Sequence, residues 1–181
     1  MGRRIVQSSH TGEQFVFDDS WNDSDGRVQQ LQYVLQPNSK VGEHHHPATS
    51  QSFEVLSGTL HVRVNRGQVL ALNPGDKATT GVNGIHAQWN EGPGPTTVIE
   101  RYEPPLDVEP FFTVLAHAMA SRNLLKKAVF FSDFQSISSI ASRPVRLIVT
   151  ILAPLGRLVG LTRWYASLLP DSGTRAATGT K

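Results

Sequence analysis

Two patterns of apolar and polar positions divide the chain. Up to about residue 106, apolar residues sit in short runs broken by turn formers; beyond it they recur at helical spacing. Thr59-Leu60-His61-Val62-Arg63-Val64-Asn65 alternates apolar and polar, the mark of a half-buried strand. Asn65-Arg66-Gly67 predicts a hairpin turn onto Gln68-Val69-Leu70-Ala71-Leu72. Further turn signals stand at Pro37-Asn38, Asn73-Pro74-Gly75-Asp76, Asn83-Gly84 and Gly92-Pro93-Gly94-Pro95. Strands at this spacing predict an antiparallel sandwich or barrel over residues 27–106. Residues 1–26 are polar and contain the acidic run Asp18 to Asp25; they predict a lead-in arm with one or two short strands near residues 14–17.

Glu103-Pro104-Pro105 ends the strand-rich part, because proline cannot donate to a ladder. Phe111, Val114, Leu115, Ala118 and Met119 then fall on one helical face, and residues 124–131 form a second apolar segment. Pro144 opens a third helix with Ser142 as its cap, and Pro154 is expected to kink it or start another. Residues 107–170 therefore read as a helical extension, packed on the barrel or on a dimer partner. Residues 171–181 read as a flexible Ser/Thr/Gly-rich tail.

Composition adds three points. A length of 181 residues with 39% hydrophobic and 18% charged residues suits one domain plus an extension. There are no cysteines, which excludes disulfides, thiolate ligands and a cysteine nucleophile. The net charge of +2 hides an imbalance: residues 1–110 hold 8 Lys/Arg and 13 Asp/Glu, residues 111–181 hold 9 and 2. The N-terminus lacks the apolar core of a signal peptide, so a cytoplasmic location is expected.

The candidate chemistry lies in His44-His45-His46. On a strand, His44 and His46 share a face and His45 points away. Two imidazoles so spaced can grip one metal ion. Gln51 follows five residues after His46, and Glu54 three later, on the opposite face of a regular strand. Glu43 is likewise out of phase with His44. Phe53 and Val55 share the face of Gln51.

Gly42-Glu43-His44-His45-His46-Pro47 with Gln51 and Gly58 resembles the first motif of the cupin superfamily. Gly67, Asn73-Pro74-Gly75-Asp76, Gly84-Ile85-His86 and Asn90 resemble its second. The resemblance covers residues 28–105. It implies a mainly β fold, a cupin (double-stranded β-helix or jelly-roll) barrel with a C-terminal helical extension. It further implies one divalent metal ion (Fe, Mn, Ni, Zn or Cu), held by His44, His46, Gln51 and His86. The family has a glutamate where this chain has Gln51. Four neutral ligands leave the full +2 on the ion, so affinity should fall and the acidity of a bound water should rise.

The cavity is expected to be lined by Gln30, Gln32, Phe53, Val55, Gln88 and Asn90, with His61, Arg63 and Arg101 as further candidates. Trp89, opposite His86, is expected to pack; His10 and His117 are read as structural or exposed. No catalytic residue is assigned, and no carboxylate base is apparent in the pocket. The resemblance implies a metal-dependent enzyme on a small organic molecule (dioxygenase-, isomerase- or lyase-like, a dioxygenase being an oxidoreductase), the alternative being a non-catalytic small-molecule or metal-binding module. Exposed outer strands suggest a homodimer. No helix-turn-helix or basic stripe suits nucleic acid. The apolar segment 147–161 is too short to span a bilayer; packing is the expected role, with membrane-surface contact through residues 143–165 as the alternative.

Overall fold

The computed structural model describes residues 2–9, 11–106 and 108–169; His10 and the tail 171–181 lie outside them. Ten strands alternate along the first part: β1 (Arg4–Gln7), β2 (Gln14–Phe17), β3 (Gln29–Leu35), β4 (Lys40–His45), β5 (Ser50–Ser57), β6 (Leu60–Val64), β7 (Val69–Leu72), β8 (Lys77–Thr80), β9 (His86–Trp89) and β10 (Thr96–Glu103). The rest comprises α1 (Val108–Ala120), α2 (Leu124–Asp133), β11 (Ser139–Ile140), α3 (Arg143–Leu158) and α4 (Leu161–Ala166).

The strands form two antiparallel sheets, ordered β1-β2-β3-β10-β5-β8 and β11-β4-β9-β6-β7. This is the cupin jelly-roll fold. Its core is built by in-phase apolar positions: Leu31, Tyr33 and Leu35 of β3, Phe53 and Val55 of β5, Leu60 and Val62 of β6, and Val98 and Tyr102 of β10 are all buried. The hairpin β6–β7 turns through Asn65 and Arg66, both at positive φ (50° and 57°), the geometry that matches strand twist. Gly58, at φ 78°, ends β5 where a β-carbon would stand 2.6 Å from Thr96 Oγ1.

Residues 1–26 are more than a lead-in arm. β1 and β2 extend the first sheet, and Phe15 and Phe17 are buried in the core. The extension is equally integral. Phe112 of α1 stacks on Phe15 at 4.2 Å between ring centroids, and Phe15 on Tyr33 at 4.7 Å. β11 pairs with β4, placing Ile140 opposite His44 and Ser139 opposite His45. Asn123 caps α2 by accepting from the N–H groups of Leu125 and Lys126. Ser142 stands at the N-cap of α3 but makes no side-chain cap bond.

Pro154 neither kinks off a new helix nor ends α3; the helix runs through it. Both Pro154 and Thr150, whose carbonyl loses its helical donor there, are exposed, so water can serve that carbonyl. α3 stops instead at Gly160, in the left-handed conformation at φ 80°.

Candidate metal centre

β4 and β9 lie side by side, with His44 opposite His86. Between Val41 and His44 the register slips by one residue, a bulge at Gly42-Glu43. That extra residue turns both Val41 and His44 toward the interior. His46 follows β4 on the same side. One ring nitrogen from each of His44, His46 and His86 then lies within 4.8 Å of the others. Bonds of about 2.1 Å set tetrahedral ligand nitrogens roughly 3.4 Å apart, so the trio would draw together around an ion.

Hydrogen bonds fix which nitrogens keep a lone pair. His44 Nδ1 bonds the Gly42 carbonyl at 2.9 Å, His46 Nδ1 the Ile137 carbonyl at 2.6 Å, and His86 Nδ1 the Gly84 carbonyl at 3.0 Å. A carbonyl only accepts, so each Nδ1 carries the proton. Each neutral ring is thereby left with a lone pair on Nε2. His86 Nε2 is buried with no partner. His46 Nε2 stands 3.0 Å from Gln51 Oε1, two acceptors with no proton between them while the ring is neutral. Two lone pairs aimed together in this way suit a shared cation. These donors fit a divalent metal.

The electrostatics keep the rings neutral. Burial, then the neighbouring His86 and His46, holds His44 well below the usual histidine range. Burial also lowers His46, and takes His86 down to about 4. Each group titrates in the unfolded chain near pH 6.5, so acid favours unfolding from there down to the folded value. For His86 the loss is on the order of 3 kcal/mol by pH 4. Metal-free protein is therefore expected to lose stability in urea melts between about pH 6.5 and 4, and His86→Phe to flatten that slope. An unchanged slope in the variant would contradict the neutral, buried ring.

Beneath Gln51 lies a network that sequence reasoning missed. The Gln51 amide Nε2 donates to the Tyr102 hydroxyl oxygen at 3.0 Å. Tyr102 Oη donates to Glu100 Oε2 at 2.8 Å, and Gln88 Nε2 donates to Glu100 Oε1 at 2.8 Å. Glu100 is buried, and burial raises its carboxyl above the ordinary range despite the bonds from Gln88 and Tyr102. The expectation of a pocket without a carboxylate is thus corrected. Glu100 is in phase with the buried Val98 and Tyr102 on β10, though alternation alone does not say which face of this strand is the inner one.

The cavity above this network measures about 560 Å³. Its polar end holds His44, His46, Gln51, Gln88, Glu100 and Tyr102; its wall and roof hold Phe15, Tyr33, Phe111, Phe112, Leu115, Met119, Phe131 and Ile140. Among the described residues, the helical extension thus supplies most of the roof.

Several expected pocket residues lie elsewhere. Gln30 faces outward, accepting from Arg101 Nε, and Arg101 pairs with Glu54 at 2.9 Å. Gln32 shares that outer face, since Leu31, Tyr33 and Leu35 take the inner one. Phe53 and Val55 are inward but form core below the site, Phe53 lying 5.8 Å from the His86 ring. Asn90 is buried in the loop before β10, donating to the carbonyls of Leu35 and Gly94. Arg63 pairs with Glu43, and His61 stacks on Trp89, all on the outer surface of the second sheet. His117 is exposed and bonds the Thr113 carbonyl of its own helix.

A two-sheet β-barrel with an inward cluster of three histidines beneath a helical roof has the architecture of a double-stranded β-helix protein. Residues 31–102 match the sequence model of the cupin domain family (Cupin_2), so the barrel of this chain is a cupin domain. Among solved structures, it is similar to KdgF from Halomonas sp., at 19% identity and a TM-score of 0.51, covering 59% of this chain and 92% of that one. It is also similar to an RmlC-like cupin from Shewanella frigidimarina, at 17% identity and a TM-score of 0.47, covering 57% and 86%. At these identities the likeness concerns the fold. No curated protein matches the chain in sequence.

Proposed function

We propose that the protein is a metal-dependent cupin enzyme, isomerase- or lyase-like, acting on a small and largely apolar organic molecule. The observation that carries this reading is the cluster of three histidines, one ring nitrogen of each within 4.8 Å of the others, with every Nδ1 bonded to a backbone carbonyl. His44, His46 and His86 would hold the ion, with Gln51 Oε1 as the fourth donor. Imidazole and amide oxygen suit Fe, Mn, Ni, Zn or Cu. When bound, the ion supplies Lewis acidity toward a substrate oxygen.

The chain's own residues supply the rest. The Phe111–Phe112 roof excludes water and selects an apolar body. Glu100, buried next to Tyr102, can take a proton from a substrate carbon or hydroxyl and return it elsewhere. A carboxyl raised by burial favours such proton transfer over oxygen activation. Gln88 and Tyr102 hold its oxygens in place. The alternative, a binding module without turnover, shares the metal centre and differs only in what Glu100 does.

Elemental analysis of purified, untagged protein tests the centre. Wild type is expected to carry one divalent ion per chain, and His46→Ala close to none. Metal in neither protein, even after incubation with each candidate ion, would remove the metal from the reading. The metal-loaded protein would then be screened with phenolic and dicarbonyl compounds. Tight ligand binding without product across that screen would favour the binding module.

A further inference from the structure

α3 presents three faces when its residues are set at 100° intervals. Val149, Leu152, Ala153 and Gly156 turn toward the protein; a β-carbon on Gly156 would stand 2.5 Å from Val129 Cγ2 of α2. On the opposite side Leu147, Ile148, Ile151, Leu155 and Leu158 form one continuous stripe, and each is between 49% and 84% exposed. Arg143, Arg146 and Arg157 line the flank between the two. A helix apolar on both sides, with cations along one edge, has an unburied face that internal packing does not explain.

Charge decides what covers that face. Residues 111–169 hold seven Lys/Arg and a single acid, Asp133. Asp133 is already engaged by Arg157 and by the Tyr165 hydroxyl. A second copy laid stripe to stripe would bring its own cations to this cationic surface, with no free carboxylate among the described residues 111–169 of either copy to answer them. An anionic lipid surface answers both features: its acyl boundary accepts the leucine and isoleucine stripe, and its headgroups attract the arginines. No helix among the described residues is long and apolar enough to cross a membrane. The geometry available to α3 is therefore to lie in the interface.

We propose that α3 docks the protein on anionic membrane surfaces, with the stripe from Leu147 to Leu158 in the headgroup region and Arg143 and Arg146 among the lipid charges. The proposal is independent of the metal centre. Flotation of the full chain with vesicles tests it, using phosphatidylcholine alone and phosphatidylcholine mixed with phosphatidylglycerol. Wild type is expected to float with the mixed vesicles at low salt, to be released at high salt, and to ignore pure phosphatidylcholine. Leu147→Glu/Leu155→Glu and Arg143→Ala/Arg146→Ala are each expected to weaken partition by at least about tenfold. All four positions are exposed, and circular dichroism checks that the fold is kept. Failure of wild type to float with mixed vesicles at low salt overturns the proposal, whatever the variants do. So does a concentration-dependent dimer that Leu147→Glu/Leu155→Glu dissolves without any vesicle binding, which would assign the stripe to a second copy.

Discussion

Gln51→Glu is expected to bind the divalent ion about a hundredfold more tightly than wild type, and to make the fold depend on that ion. In the native chain Gln51 Oε1 faces His46 Nε2 at 3.0 Å, while its amide donates to the Tyr102 oxygen. The substitution adds a full negative charge where the ion would sit. It also removes the amide donor. Tyr102 has a single hydroxyl proton, now claimed by Glu100 and by the new carboxylate, both buried. Without metal, two carboxylates share one donor and one of them must take up a proton or stand unpaired. Metal-free variant should therefore lose a few kcal/mol relative to wild type, as an uncompensated buried charge does. Saturating metal offsets most of that deficit, because a hundredfold gain in affinity is worth about 2.7 kcal/mol. Chelator competition measures the affinity, and melts with and without metal measure the widened gap. Equal affinity in the two proteins would mean that residue 51 does not touch the ion.

The histidine pair and the barrel were legible because both depend on local parity. His44 and His46 are two residues apart, and a step of two keeps a strand face. Glu54 and Glu43 were placed outward by the same count, and they pair there with Lys77, Arg101, Arg63 and Arg66. Parity failed where it gave no sign of which face was inner. On β10, Val98, Glu100 and Tyr102 alternate with Thr97, Ile99 and Arg101, and each set mixes apolar with charged residues. The inner set is decided by the neighbours: β10 lies between β3 and β5, whose Leu31 and Phe53 stand opposite Glu100. On β3 the pattern did point the right way, since Leu31, Tyr33 and Leu35 are the apolar set. Assigning Gln30 and Gln32 to the cavity set chemistry above periodicity.

The helical face of the roof was legible in its spacing, but its place over the cavity was not. His46 is oriented by the carbonyl of Ile137, 91 residues away, and β11 completes the sheet edge beside β4. These contacts depend on how the extension returns over the barrel, which neither helical spacing nor turn chemistry specifies. Their consequence is functional: the extension both closes the cavity and fixes the tautomer of one proposed ligand. Glu100 modifies the charge argument for Gln51 in a similar way. The carboxyl missing from the proposed ligand set is present at one remove, through Tyr102, and the ion itself would be left with neutral donors.

Glu100→Gln is expected to keep the metal, to be at least as stable as wild type at neutral pH, and to lose about 10²- to 10⁴-fold in turnover. The replacement suits the site. Its amide oxygen can accept from Tyr102 as the carboxylate does, and once the Gln88 amide turns over, its amide nitrogen can donate to Gln88 Oε1, replacing the bond that Gln88 Nε2 makes to Glu100 in the native chain. It also removes a charge that burial disfavours. The pH dependence carries the sign. A carboxyl raised on folding favours the folded state when protonated, so its contribution declines as pH rises from the ordinary carboxylate value through the folded one. The stability advantage of Glu100→Gln should therefore be small in acid and grow toward neutrality, opposite in direction to the histidine effect. Metal affinity should fall by no more than about tenfold, since the lost charge lies outside the ligand set. Urea melts at several pH values, metal analysis and turnover of whichever compound the wild type converts read these effects separately. Full turnover in a metal-loaded Glu100→Gln would exclude the proton-transfer role. A loss of turnover with metal and fold intact is the result expected of a proton-transfer role for this carboxyl.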